Sequence, residues 1–156
     1  MTYSRQPTLL VRIAVVLLIA PAASHICILD PPQRGALSVI TPGDPSCYRR
    51  SGPCGGVAQS APGRAFQAGA TTPVRVHQNL NHWVPPTAQR TSGYFTLSLV
   101  STDAAAPLLL DTWSDFPAWD EVAQTNWTRE VSVPADAPLG PALLAFEYVS
   151  YNADEV

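Results

Sequence analysis

Three histidines, His25, His77 and His82, carry the clearest capacity for chemistry in this 156-residue chain. His25 stands directly after a leader-like segment. If the chain is cut after Ser24, the new α-amine and the imidazole belong to one residue and together chelate one ion. An α-amine titrates at about 8, close enough to neutrality for a metal to displace its proton, and amine and imidazole nitrogens suit copper in a planar arrangement. One more histidine would complete three nitrogen ligands, and only His77 and His82 remain. The plainer alternatives are that His25 is an ordinary terminal residue, or that it stays inside the chain because the cut falls after Ala22.

Within Val74-Arg-Val-His-Gln-Asn-Leu-Asn-His-Trp83, strand alternation puts His82 on the parity of Val74, Val76 and Leu80, and His77 with Arg75 on the other. The asparagine-rich end is expected to stop the strand near His82, where a side chain can turn toward a surface metal, whereas His77 is expected mid-strand on the solvent side. Other catalytic patterns are missing. Neither Gly-x-Ser-x-Gly, nor His-Glu-x-x-His, nor a P-loop occurs. Cys47 and Cys54 resemble a disulfide pair more than a metal knuckle, because no second Cys pair or nearby His completes a zinc set. Cys27 is then the orphan, with Cys27 to Cys54 as the alternative bridge. Asn126-Trp-Thr128 is an N-glycosylation sequon, expected on an exposed loop.

These residues need an export route and a rigid frame. Residues 1–24 read as a signal peptide: Arg5 and Arg12 without an acid, the apolar run from Ile13 to Ala20, then small residues around Pro21. The run is too short to span a bilayer. Residues 25–156 are expected to form a single domain with no membrane span, secreted into an oxidising compartment. All nine basic residues are arginine, and losing Arg5 and Arg12 moves the formal charge from −3 to −5. Nucleic acid and anionic membranes are poor partners for such a surface. Sixteen prolines favour short elements and many turns. The Pro/Gly-rich stretch from Cys27 to Gly69 reads as a disulfide-stapled loop region. Strands are expected at Pro73 to Leu80, Tyr94 to Ser101, Leu108 to Trp113, Arg129 to Val133 and Ala142 to Tyr151, while Asp115 to Glu121 reads as a loop or a short helical turn. The spacing predicts an all-β antiparallel sandwich.

Taken in order, His25-Ile-Cys-Ile-Leu-Asp-Pro-Pro-Gln-Arg-Gly35, Gly52-Pro-Cys-Gly-Gly56, Gln78-Asn-Leu-Asn-His-Trp83 and Gly93-Tyr-Phe95 resemble the secreted histidine-brace copper proteins. That family includes lytic polysaccharide monooxygenases and non-catalytic relatives similar to fungal copper-acquisition factors. The resemblance implies an immunoglobulin/fibronectin-like sandwich, a cut before His25, and copper held by the amine and ring of His25. The third nitrogen would come from the histidine that precedes the glycine-led strand, His82, with His77 as the fallback. Relatives continue past the strand resembling Leu143 to Tyr151 into a segment with a further cysteine, so a C-terminally shortened fold is expected here. It leaves Tyr148 and Tyr151 as candidate axial groups.

Three functions compete. The first is a secreted copper-binding protein that acquires or handles the metal without catalysis. The second is a copper-dependent polysaccharide monooxygenase with polysaccharide or cell wall as partner, in which Trp83, Trp113, Trp119 or Trp127 stacks on sugar rings, although aromatics in a sandwich more often belong to the core. The third is a secreted interaction domain without metal, for which His25 is incidental.

Overall fold

The computed structural model describes residues 25–35, 37, 40–49, 54–58, 63–88, 91–101, 106–117 and 123–150. The leader, Trp119 and Tyr151 lie outside them. Six strands are present: β1 (Ile26–Asp30), β2 (Thr71–Gln78), β3 (Tyr94–Ser101), β4 (Leu108–Ser114), β5 (Thr125–Ser132) and β6 (Ala142–Val149). They form two antiparallel three-stranded sheets, ordered β1-β2-β5 and β4-β3-β6. Among the described residues no helix is long and apolar enough to cross a membrane.

Alternation along each strand explains why the sheets face one another. Val74 and Val76 of β2, Ile28 of β1, Val131 of β5 and Leu97 of β3 form one buried cluster, against which Leu110, Trp113, Trp127, Leu144 and Phe146 pack. The two sheets therefore share a single core, as an all-β sandwich requires. Each such side chain contributes about 1.5–3 kcal/mol when fully buried. At one end of the core Phe95 is fully buried between Trp113 (5.2 Å), Trp127 (5.2 Å) and Tyr148 (4.3 Å). Arg129 of β5 joins the layers at their edge, pairing with Asp111 of β4 at 2.7 Å and lying over the Trp113 ring.

All five expected strands are present, β3 with the expected bounds and the other four with shifted ends; β1, inside the expected loop region, is an addition. Its inner face meets the core and part of its outer face is covered by the loop after it, so Cys27 and Ile28 are both buried and no polar alternation marks the strand. Gln33 sews that loop down. Its side chain accepts from the Ile28 amide and donates to the Ser46 carbonyl, which brings the 3-10 turn Pro45–Cys47 against β1.

This juxtaposition corrects the expected disulfide. Cys47 pairs with Cys27, not with Cys54, at a Cα separation of 4.8 Å. Proximity in sequence favoured Cys47 with Cys54, but the fold of the loop decides the bridge, and Cys54 is the free thiol. Cys54 sits at the start of the next 3-10 turn, Cys54–Gly56, with a positive φ of 56°. Arg49 holds that turn in place by donating to the carbonyls of Ser46, Cys54 and Arg34. Closing a loop of sequence separation 20 stabilises the fold by about 3 kcal/mol.

Candidate metal centre

The start of β1, the end of β2, the end of β4, the start of β3 and the end of β6 meet at one end of the two sheets. His25 stands just before β1. Its carbonyl accepts from the Asn79 amide at 2.6 Å, which fixes the residue across the end of β2. The His25 ring stacks on Tyr48, with centroids 4.2 Å apart and planes inclined by 29°. Tyr48 comes directly after Cys47, so the Cys27–Cys47 bridge holds the stacking partner in register with β1.

His82 reaches the same place from the segment after β2. That segment is rich in amide side chains because each fixes a piece of backbone. Asn79 accepts from the Asp44 amide and donates to the Thr41 carbonyl. Asn81 accepts from the Trp83 amide and donates to the Phe116 carbonyl. The His82 amide donates to the Tyr148 hydroxyl at 3.1 Å, and that hydroxyl donates to Asp115 Oδ2 at 2.5 Å. The rings of His25 and His82 end 5.4 Å apart, tilted by 40°.

The spacing of the two rings is compatible with a single ion between them. Through Nδ1, His25 and its α-amine would close a six-membered chelate ring, whereas Nε2 points away from the main chain. Nδ1 of His25 and Nε2 of His82 are both buried side-chain atoms. Two imidazoles on one ion, with metal–nitrogen bonds of about 2 Å, have ring centres about 6 Å apart when opposed and closer when bent. The observed 5.4 Å lies inside that limit. Among the described residues no three His, Cys, Asp or Glu side chains converge as a ligand set. The two rings offer two imidazole nitrogens, and a third nitrogen ligand would have to be the α-amine of a chain that begins at His25.

His77 does not join them. The expectation of a solvent-facing mid-strand side chain is corrected: His77 is 5 % exposed, because the loop held by Asn79 covers that part of the outer face of β2. With the proton on Nδ1, its ring donates to Asn126 Oδ1 at 2.9 Å, and Nε2 accepts from the side-chain amides of Asn79 and Gln124, each at 3.4 Å. Both ring nitrogens are engaged in the fold. Asn126 itself is exposed, the second residue of β5 and not on a loop.

Two residues at the site carried no signal of their own. Tyr48 looked like any loop tyrosine. Asp115 opens the stretch read as a loop or a short helical turn, yet it is a buried carboxylate, 6 % exposed, whose Oδ1 accepts from the Phe116 amide at 2.8 Å. Burial raises its pKa, against the opposing pull of the hydrogen bonds from Tyr148 and Phe116. Tyr148 is likewise pushed up, by burial first and then by the Asp115 carboxylate. Gly93 lets these strands close. A Cβ there would lie 2.5 Å from the Val149 carbonyl oxygen.

No protein-family model, curated protein or solved structure matches this chain. The fold defines an all-β, disulfide-bonded protein of two antiparallel sheets with paired histidines at one end.

Proposed function

We propose that this is a secreted copper-binding protein of the histidine-brace type, with an immunoglobulin/fibronectin-like sandwich and a leader removed before His25. The α-amine and Nδ1 of His25 and Nε2 of His82 hold the ion. One observation carries the reading: the two histidine rings, far apart in sequence, stand 5.4 Å apart with those nitrogens buried. Bound copper would supply a redox-active Lewis-acid centre. The protein's part is to hold the ring of His25 against Tyr48 and to keep His82 beside it.

Acquisition or handling of copper fits better than oxidation of a polysaccharide. Trp113 and Trp127, two of the four candidate sugar platforms, pack on the core and on Phe95. Trp83 is half-buried, and Trp119 lies outside the described residues. The exposed Asn126 sequon carries a glycan in the secreted form. Calorimetric titration of the processed protein with Cu(II) tests the reading. One tight site per chain supports it, and no binding returns the protein to the metal-free interaction domain. Release of oxidised oligosaccharides from cell-wall polysaccharide with peroxide would overturn the non-catalytic assignment while keeping the copper site.

A further inference from the structure

We propose that Tyr148 and Asp115 form a positioning clamp that sets where His82 stands, an inference that rests on the copper reading above. A tyrosine hydroxyl has one proton to donate and lone pairs to accept with. Here the proton is committed to Asp115 Oδ2, so the oxygen faces the His82 amide as an acceptor. Asp115 cannot turn away, because its Oδ1 accepts from the Phe116 amide and its own amide donates to the Gly93 carbonyl at 2.8 Å. The Tyr148 ring is equally fixed, 2 % exposed and stacked on Phe95 at 4.3 Å.

The clamp links the two layers at the site. Tyr148 and Asp115 belong to the β4-β3-β6 sheet and its exit, whereas His82 extends from β2 of the other sheet. The His25 ring is held from the opposite side by Tyr48. Each histidine is thus placed by its own tyrosine, one through ring stacking and one through the main chain. The Tyr148 ring lies 6.3 Å from the His82 ring, centroid to centroid, and its hydroxyl, already committed twice, acts as a positioning group.

The test uses the processed full-length mature protein with Cu(II) as the probe. Tyr148→Phe keeps the stacking ring and removes the acceptor. Asp115→Asn keeps the shape but leaves one oxygen for two donors. Outer-shell changes at metal sites typically cost 10–100-fold in affinity, and about tenfold is expected for each variant, together with an altered copper electron-resonance spectrum. The double variant is expected to lose no more than Tyr148→Phe, because both act through one amide. General destabilisation would lower melting temperatures additively and leave the spectrum of the folded protein unchanged. Wild-type affinity and spectrum in Tyr148→Phe overturn the clamp and leave the copper reading standing. Failure of the wild type to bind copper overturns both. If Tyr148→Phe does not fold, Asp115→Asn decides alone by the same two readouts.

Discussion

Replacing His82 and His77 separately by alanine separates a ligand from a structural histidine. At a free copper concentration one hundred times the dissociation constant, binding stabilises the folded state by about 2.7 kcal/mol, a rise of roughly 5–10 °C in Tm for a domain of this size. His82→Ala removes one of three proposed nitrogens, so a loss of at least about 100-fold is expected, above the usual cost of an outer-shell change. At the same copper concentration the stabilisation then falls to about 0.4 kcal/mol and the Tm shift to about 1 °C. The metal-free Tm should change little, because His82 is only half-buried. His77→Ala is expected to do the reverse. It deletes a buried ring and its contacts with Asn126, Asn79 and Gln124, at a cost of about 2–4 kcal/mol to the metal-free fold, with the copper-induced shift retained. Thermal melts of both variants, with and without Cu(II), give the four numbers. A lost copper shift in His77→Ala with a normal shift in His82→Ala would refute the assignment.

Thiol labelling and peptide mapping should place one label per chain, on Cys54, and a label on Cys27 or Cys47 in the native protein would contradict the bridge found here. Reduction of Cys27–Cys47 should weaken copper binding as well as stability, since it releases Tyr48 from the His25 ring; unchanged copper affinity in the reduced folded protein would count against that coupling. Gly93→Ala should lower Tm by roughly 5–10 °C through the clash with the Val149 carbonyl, and an unchanged Tm would show that the strands relax freely. Asp44 accepts from the Ser46 amide and hydroxyl at the start of the 3-10 turn, chiefly through its side-chain bond to Ser46, and this holds its pKa below the ordinary 3.8. Its contribution is therefore present above the unfolded pKa and lost as pH falls through the folded one. Urea midpoints of Asp44→Ala should lie below wild type at pH 6 and converge with it under acid, and a constant difference at both pH values would contradict the assignment.

The five later strands were legible because each keeps one face toward the core over most of its length, the covered end of β2 at His77 and Gln78 apart. Phe95 and Leu97, or Val74 and Val76, announce that period. β1 was not, because parts of both its faces are covered. The bridge escaped for a related reason: cysteine spacing says how far apart two thiols are along the chain, whereas Gln33 and the turn at Cys47 decide which are neighbours. His25 and His82 could be singled out from a chain start and a strand end. The exclusion of His77 could not, since it depends on Asn126 and Gln124, which arrive from β5 and the segment before it. Tyr48, Asp115 and the accepting role of Tyr148 likewise exist only once the two sheets are brought together.

The central claim, that the amine and ring of one terminal histidine join His82 around copper, is tested most directly by comparing two chains that differ only at their start. One begins at His25 and the other keeps Ala23 and Ser24. The account predicts tight, one-to-one copper binding with a three-nitrogen electron-resonance spectrum for the first. For the second, in which the amine is moved away from the ring, it predicts binding weakened by at least about 100-fold. Equal affinity and an identical spectrum for the two chains, or no binding by either, would contradict it.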